Sequence, residues 1–392
     1  MKLAIGRSLA LRLAAGLAGY CTFINLYSPQ AILPLLSDEF HAGPAEISHI
    51  MTAGTLAVAL IAPFSGTVAD VLGRKRVIVA ALLALGIPTA MSAFSTSLES
   101  LIVWRFVQGL CMPPIFAVTI AYIGEELPAH EATAVTGVYT SGASLGGFSG
   151  RFVTGILADV IGWRDGFLCL AAATLLGALI VAILLPRERK FVRSEGLIAS
   201  SRQMLRHFRN PQLVATYAVG FGVLFNFIAT FTFISFRLAA PPYDLSPTWL
   251  GAIFVVYLAG SALAPLVGRM VGRFGRRTFV LLIIAIWMAG IALTLATPLW
   301  LIVLGLAMMA SCGLLCQAVS TGYVAVTAQA GRSSAVGLYV TSFYLGGSVG
   351  AAAGGLAWVW GGWPACVAMM MVVLIIMAAI VAFAWARQAA RI

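Results

Sequence analysis

The chain has 392 residues, of which 61% are hydrophobic and only 9% are charged, and its net charge is +11. This composition does not supply the polar surface that a soluble domain needs, so we expect the chain to lie in a membrane. A helix that crosses about 30 Å of hydrocarbon needs about 20 apolar residues, so twelve spans and short loops fit this length. The expected fold is all-α, with little of the chain left for a soluble domain.

Apolar runs separated by polar residues predict twelve transmembrane helices. In chain order they are 12–36, 47–69, 77–96, 99–124, 133–158, 165–185, 212–237, 248–271, 278–296, 299–326, 334–357 and 364–386. The first run could pass for a signal peptide, but it continues to Leu36 without a persuasive cleavage site, so we interpret it as the first span. Pro29, Pro34, Pro113 and Pro114 are expected to kink the first and fourth spans.

The basic residues predict the orientation of the chain. With the N-terminus inside, twenty of the 24 Lys and Arg residues fall on the inner side. This bias predicts a multi-pass membrane protein with both termini cytoplasmic, and it explains the positive charge without nucleic-acid binding. The polar stretch 187–211 is predicted to be a cytoplasmic linker between two six-helix halves, 1–186 and 212–392.

The two halves are related by an internal repeat. Residues 137–163 match residues 337–363 without a gap, and a second match joins 66–76 to 268–278. Nine of the 27 positions in the longer match are identical: Gly137/Gly337, Tyr139/Tyr339, Leu145/Leu345, Gly146/Gly346, Gly147/Gly347, Gly150/Gly350, Gly155/Gly355, Gly162/Gly362 and Trp163/Trp363. We therefore expect two pseudo-symmetric halves, and parallel repeats of this kind place a substrate site at their interface.

The loop after the second span carries a recognisable motif, made of Gly66, Asp70, Gly73, Arg74 and Lys75. On these residues the chain resembles the major facilitator superfamily over nearly its whole length. The resemblance implies a tight cytoplasmic turn and a gating lock in which Asp70 caps a helix and pairs with arginines across the interface between the halves. The second half keeps Gly268, Arg273, Gly275 and Arg276 but has Gly272 in place of the aspartate, so the lock is expected to be weaker or absent there.

Two further motifs point to the drug/proton antiporter branch of that superfamily. Arg105, Gln108 and Gly109 in the fourth span resemble its RxxQG motif, and Gly142, Gly146, Gly147 and Gly150 in the fifth span resemble its glycine-rich motif. Gly146-Gly147 replaces the usual Gly-Pro pair. Together with LYSPQAILPLL, these motifs look similar to bacterial acriflavine-sensitivity-type exporters. Three of the glycines recur every four residues, a spacing that favours close helix packing.

Two arginines lie inside predicted spans. Because a charge at the bilayer centre costs about 2.5–3.5 kcal/mol, Arg105 and Arg151 are candidate functional residues. Their counterparts in the repeat are Met309 and Ala351, so the scaffold itself does not require arginine at either place. Each arginine either joins neighbouring helices through backbone carbonyls or binds a carboxylate or phosphate in a cavity. For Arg105 we leave both readings open, and for Arg151 we favour the cavity.

The other polar residues give weaker signals. None of the thirteen acidic residues lies mid-span, which argues against a proton-driven exporter of cationic drugs. If protons are coupled to transport, the candidates are Asp38, Glu39 and His49. The remaining polar residues of the spans either form a mixed polar and aromatic pocket or hydrogen-bond a neighbouring helix: Asn25, Tyr27, Gln30, Asn226, Thr230, Tyr257, Gln317, Thr321, Tyr323 and Tyr344.

The leading functional hypothesis is secondary transport by alternating access, with proton-coupled efflux of a small amphipathic or anionic solute. The alternative is uptake or exchange of a small anionic metabolite. A membrane receptor would not need gate motifs in both halves, and no nucleophile and base set, metal-binding spacing or Walker loop supports an enzyme or an ATP-driven pump. The six cysteines are interpreted as packing residues. We expect a monomer in contact with lipid, without cofactor, metal or nucleic acid.

Overall fold

The computed structural model describes residues 2–188, 206–328 and 332–385, and these ranges contain helices and turns but no strand. The earlier elements are α1 Lys2–Tyr27, a 3-10 helix Ser28–Ala31, α2 Leu33–Glu39, α3 Pro44–Ile47, α4 His49–Leu72, α5 Arg74–Ala93, α6 Leu98–Cys111, α7 Pro113–Glu126, α8 Ala129–Val160 and α9 Trp163–Leu184. The later elements are α10 Pro211–Ala239, α11 Pro247–Ile253, α12 Val256–Leu263, a 3-10 helix Ala264–Leu266, α13 Val267–Phe274, α14 Arg276–Leu293, α15 Leu299–Thr327 and α16 Arg332–Ala384. The predicted all-helical membrane fold is confirmed.

The apolar helices are consistent with the predicted number of spans. Nine helices in the described ranges are long and apolar enough to cross a membrane, and Pro247–Leu263 with Val267–Phe274 forms a tenth span, bent by 60°. Helix α16 counts once among the nine, yet its backbone is non-helical at Gly361 and Gly362, so it covers two predicted spans. Helix α8 covers the predicted span 133–158. These helices are therefore consistent with twelve spans.

Proline residues divide the first and fourth spans. Pro29 lies in the 3-10 helix between α1 and α2, Pro34 lies at the start of α2, and Pro113 is the first residue of α7. Proline has no backbone N–H, so it fits the first turn of a new helical segment, where that donor would have no partner. Pro63 and Pro88, in contrast, lie inside α4 and α5 without ending them.

Four described glycines have positive φ angles, and they form two repeat-related pairs. Gly73 and Gly275, at φ +91° and +75°, precede α5 and α14, while Gly162 and Gly362 have φ +88° and +60°. Residues with a side chain rarely adopt this left-handed conformation. The repeat thus conserves the shape of two turns, and glycine is what permits that shape.

The chain folds into two compact units. The first contains Met1–Phe40, Ala53–Leu197 and Ser246–Ala252, and the second contains His41–Thr52, Ile198–Leu245 and Ile253–Ile392. Helices α1 and α8 pack closely in the first unit, as α10 and α16 do in the second. The division follows chain order except for two short segments. The domain boundaries at 186 and 212 stay a prediction, and residues 189–205 of the predicted linker lie outside the described ranges.

The two short segments pack on repeat-related glycines. A Cβ atom on Gly155 of α8 would overlap the carbonyl of Pro247, and a Cβ atom on Gly355 of α16 would lie 2.8 Å from the Cα atom of Ala45. On α8, Asp159 also accepts hydrogen bonds from the hydroxyl of Ser246 at 3.0 Å and from the amide of Thr248 at 2.9 Å. The identical glycines thus provide room for α11 in one unit and α3 in the other.

Candidate functional site

The first unit has a buried hydrogen-bond network centred on Asn25 of α1. Its amide nitrogen donates to the hydroxyl of Thr174 on α9 at 2.8 Å, and its carbonyl oxygen accepts from the amide nitrogen of Gln108 on α6 at 3.1 Å. The hydroxyl of Thr89 on α5 lies 2.8 Å from that carbonyl oxygen and 2.7 Å from the Gln108 nitrogen. The exposed fraction of each of these side chains is 0% or 1%. The network therefore joins four helices through groups with complementary partners.

Arg105 of α6 extends this network to the end of α1. One terminal nitrogen donates to the backbone carbonyl of Asn25 at 2.9 Å, and the other donates to the carbonyl of Leu26 at 2.6 Å. The first of these nitrogens also contacts the side-chain oxygen of Gln108. Only 1% of Arg105 is exposed. Of the two roles left open by the sequence, this geometry supports the one in which Arg105 joins helices.

Arg151 of α8 lies beside the interruption between α1 and α2. Its Nε atom donates to the side-chain oxygen of Gln30 at 2.7 Å, and a terminal nitrogen donates to the carbonyl of Gly147 at 2.6 Å. The guanidinium carbon lies 4.1 Å from the centroid of the Tyr27 ring, a distance typical of a cation–π contact. Arg151 has no exposed surface. Tyr27, Gln30 and Arg151 are thus brought together, whereas sequence reasoning had favoured an open cavity around Arg151.

The polar candidates of the second unit are not gathered into one comparable cluster. Tyr257 packs among aromatic rings, with its centroid 4.7 Å from Phe227 and 4.8 Å from Phe231. Tyr323 lies 4.6 Å from the ring of Trp385 and under the guanidinium of Arg276 at 4.7 Å. The remaining candidates lie elsewhere: Asn226 and Thr230 buried in α10, Gln317 half-buried in α15, Thr321 in α15 and Tyr344 against Phe343 in α16.

The predicted gating aspartate lies in an ion-pair cluster of the first unit. Arg74, the first residue of α5, contacts Asp70 near the end of α4 at 3.0 Å and Glu125 at the end of α7 at 2.5 Å. The Arg74 side chain is 9% exposed, compared with 24% for Asp70 and 45% for Glu125. The backbone amide of Lys75 lies 3.4 Å from the Glu188 carboxylate. The cluster therefore ties the start of α5 to the ends of α4 and α7.

The corresponding loop of the second unit has no such cluster among the described residues. Gly272 stands where Asp70 does, Arg273 lies over its neighbour Phe274, and Arg276 lies over Tyr323. Gly275, like Gly73, has a positive φ. Gly66 and Gly268 have open space where a Cβ atom would be, so neither turn geometry nor packing requires glycine at these two positions.

The glycine stripe of α8 lies against α1. Cβ atoms on Gly142, Gly146 and Gly150 would overlap the backbone carbonyls of Gly16, Tyr20 and Ile24. Gly147 differs from these three, because its Cβ atom would lie an ordinary 3.6 Å from the Tyr27 ring. The three glycines at a spacing of four residues therefore lie at the closest contact between the helices, and Gly147 lies beside that contact.

Sequence analysis did not identify three of the residues that form these clusters. Thr89 and Thr174 belong to the Asn25 network, and Glu125 is the second carboxylate on Arg74. A usable signal for the threonines was that the two matches, extended without a gap, place apolar Ile291 and Leu374 at the equivalent positions. Glu125 had no such signal, because its partner is 51 residues away in the chain.

Acidic side chains and cysteines add no second site in the described ranges. No Asp or Glu there is buried; Glu39 forms an exposed pair with Arg164 at 2.5 Å, and Asp38 and His49 are exposed. The six cysteines are free thiols. No group of three His, Cys, Asp or Glu side chains able to hold a metal occurs among the described residues.

Comparison with known proteins places the chain in a family. The model of the Major Facilitator Superfamily matches residues 15–246 and 222–391. The chain is 32% identical to the inner membrane transport protein YnfM of Escherichia coli (strain K12) over 366 residues, covering 92% of this chain and 87% of YnfM. It is 30% identical to the uncharacterized MFS-type transporter YybF of Bacillus subtilis (strain 168), covering 92% and 89%.

Two further comparisons show less: one relative matches only part of the chain, and one solved structure shares only the fold. The chain is 32% identical to the 4-hydroxybenzoate transporter PcaK of Pseudomonas putida over 171 residues, which cover 42% of this chain and 37% of PcaK. A crystal structure of a bacterial homologue of the human lysosomal transporter Spinster, inward-facing and occupied, has a TM-score of 0.78 at 16% identity, covering 95% of this chain and 96% of that one. On the family model and the nearly full-length relatives, this multi-pass membrane protein belongs to the Major Facilitator Superfamily of transporters.

Proposed function

We propose that this chain is a secondary transporter of small organic anions, with Arg151 as the residue that recognises the substrate carboxylate. The observation that carries the proposal is the position of Arg151 against Tyr27 and Gln30, where the first span is interrupted. Many membrane transporters bind their substrates at interrupted helices. Backbone that is not helical at membrane depth is tolerated only where it is buried in protein or lines a cavity, because its polar groups need partners. A carboxylate can replace the present acceptors of Arg151, the Gln30 amide and the Gly147 carbonyl.

The surroundings of Arg151 favour an anion with an aromatic or otherwise apolar body. The Tyr27 ring lies 6.2 Å from Phe23, which in turn lies 6.2 Å from Phe116. The relatives named as 4-hydroxybenzoate transporters carry an aromatic carboxylate, and this supports the same substrate class for the present chain. The absence of buried carboxylates among the described residues favours an anion over a cation, because no negative counter-charge is available in the spans.

Proton coupling and the direction of solute transport are part of the same proposal. The sequence resemblance favours exchange of the solute against protons in the direction of efflux, across a bacterial inner membrane with both termini cytoplasmic. Uptake or exchange of a small anionic metabolite is the second candidate, and the partial likeness to proteins named 4-hydroxybenzoate transporters is compatible with it. Transport under proton gradients of opposite sign separates the two directions.

The proposal is tested with purified protein in proteoliposomes. Radiolabelled 4-hydroxybenzoate is the anionic probe and ethidium is a cationic comparator, each measured with an inward, an outward and no proton gradient. We expect gradient-dependent movement of 4-hydroxybenzoate and none of ethidium. Movement of ethidium alone would reject the anion proposal and restore the exporter branch suggested by Arg105 and Gln108.

Variants then test the role of Arg151. Loss of a buried charge-assisted contact costs about 2–5 kcal/mol, so Arg151→Gln should lower kcat/KM by about 100-fold or more while thermal unfolding stays cooperative. Arg164→Gln is the matched control, because it removes the same charge from an exposed pair in the same unit. Wild-type kcat/KM in Arg151→Gln would show that another residue recognises the anion.

A further inference from the structure

A separate groove in the first unit lies where three helix ends meet. It has a volume of about 790 Å³ and is formed by the end of α4, the start of α5 and the end of α9 with the residues that follow it. The basic-residue bias of the sequence places these helix ends at the cytoplasmic side of the membrane. The groove does not include Arg151, Tyr27 or Gln30, so it is distinct from the transport site proposed above.

The groove combines apolar walls with a basic rim. The walls include Val71, Leu72, Val79 and Leu83, and the exposed fractions of Val71 and Leu72 are 48% and 57%. Large apolar side chains exposed to this extent at a helix end are suited to lipid chains rather than to water. A soluble anion would gain nothing from these walls.

Three cationic side chains and one carboxylate form the rim: Lys75, Arg76, Arg187 and Glu188. None of the three cations forms an ion pair within 4.0 Å among the residues that the structure describes. The rim therefore carries a net charge of about +2, which complements a headgroup with a net negative charge better than a zwitterionic headgroup.

Glu188 occupies part of the rim at the start of α5. Its carboxylate lies 3.4 Å from the backbone amide of Lys75, and a Cβ atom on Gly73 would be 2.5 Å from one of its oxygens. This carboxylate competes with any other anion for the same backbone amide at the start of α5.

We propose that this groove binds an anionic phospholipid of the cytoplasmic leaflet, with the phosphate held by Lys75, Arg76 and Arg187 and the acyl chains along Leu72, Val79 and Leu83. Glu188 weakens the binding, because its carboxylate occupies a position that the lipid phosphate would otherwise take. The lipid is identified by its chemistry, a single negative headgroup joined to apolar chains, which is the combination that the rim and walls present.

The test is native mass spectrometry of the purified full-length protein in detergent, titrated separately with phosphatidylglycerol, phosphatidylcholine and inorganic phosphate. We expect phosphatidylglycerol to bind at least about tenfold more tightly than phosphatidylcholine, and millimolar phosphate not to displace it. Equal retention of the two lipids, or displacement by phosphate alone, would overturn the proposal.

Variants assign the binding to this groove. The triple variant Lys75→Gln, Arg76→Gln, Arg187→Gln should weaken phosphatidylglycerol binding by about tenfold or more, and Glu188→Gln should strengthen it. Arg277→Gln is the control, because Arg277 follows Gly275 as Lys75 follows Gly73 but does not line the groove. The assignment would be contradicted if the triple variant bound phosphatidylglycerol like wild type, or if Arg277→Gln weakened that binding equally. Either outcome would count whether or not transport changes.

Discussion

Helices α1 and α10 begin the membrane spans of the two units and pack in the same way, yet they bury different chemistry. Gly150 lies on the carbonyl of Ile24 in one unit, and Gly350 lies on the carbonyl of Phe225 in the other, so Asn25 and Asn226 occupy equivalent positions. Helix α1 is interrupted by a 3-10 segment, whereas α10 continues for 29 residues. The repeat therefore preserves the packing of the backbone but not the polar groups that it encloses.

The surroundings of the two asparagines explain this difference. Asn25 has polar partners on three other helices, whereas the equivalents of Thr89, Gln108 and Thr174 are Ile291, Cys312 and Leu374, and Met309 replaces Arg105. The amide nitrogen of Asn226 donates to Gly222 of its own helix and lies 3.8 Å from the sulfur of Met377, while its buried carbonyl oxygen has no hydrogen-bond partner. In the first unit both the amide nitrogen and the carbonyl oxygen of Asn25 have side-chain partners on other helices, whereas in the second unit the carbonyl oxygen of Asn226 has none.

The largest predicted effect on stability is that of Arg105→Met, which introduces the residue of the second unit. The change leaves two backbone carbonyls and the Gln108 oxygen without their donor, so the free energy of unfolding should fall by about 3–5 kcal/mol. Denaturant unfolding in detergent micelles measures this loss. The reverse change, Met309→Arg, should also destabilise the protein because no acceptor network awaits it. A loss below about 1 kcal/mol for Arg105→Met would show that the network contributes little.

Replacing each asparagine by leucine sharpens the comparison. Asn25→Leu removes the centre of a network and should cost about 2–3 kcal/mol, because several buried partners lose a hydrogen bond. Asn226→Leu removes an oxygen that has no partner and should be neutral or stabilise the protein by about 1 kcal/mol. The two variants are matched in chemistry and in position, so their unfolding free energies can be compared directly. Equal losses would refute the distinction between the units.

A third comparison concerns neighbouring glycines of α8. Gly150→Ala places a Cβ atom on the backbone of α1 and should cost about 1–3 kcal/mol, whereas Gly147→Ala makes an ordinary contact and should cost less than about 1 kcal/mol. Gly350→Ala in α16 should resemble Gly150→Ala, because its surroundings are equivalent. Thermal unfolding midpoints of the three variants provide the measurement, and a reversed order of Gly147 and Gly150 would contradict the packing described.

The smallest predicted effect is that of Asp70→Asn. Arg74 keeps its contact with Glu125, so the start of α5 should stay in place and turnover in proteoliposomes should fall by only about two- to fivefold. Asp70→Asn combined with Glu125→Gln removes both carboxylates and should reduce turnover by more than the product of the single changes. If the double variant turns over like wild type, this ion-pair cluster is not part of the gate.

The sequence was sufficient for the membrane class, the helices, the repeat and the family, because hydropathy and turn-forming glycines are local signals. It identified Asn25, Arg105, Gln108 and Arg151 as polar groups in apolar spans, and the structure brings them close to Thr89, Thr174, Tyr27 and Gln30. Sequence reasoning could not say which arginine joins helices, because hydropathy is the same for an arginine that bonds carbonyls and one that awaits a ligand.

Only the tertiary structure decided which partners the polar residues have. Asn25 and Asn226 are the same residue at equivalent places, and what separates them is the side chains that other helices bring from distant parts of the chain. Arg74 likewise finds Glu125 only after folding. The sequence by itself determined the scaffold through local hydropathy and backbone geometry, whereas hydrogen-bond satisfaction in a medium without water depends on contacts that only folding creates.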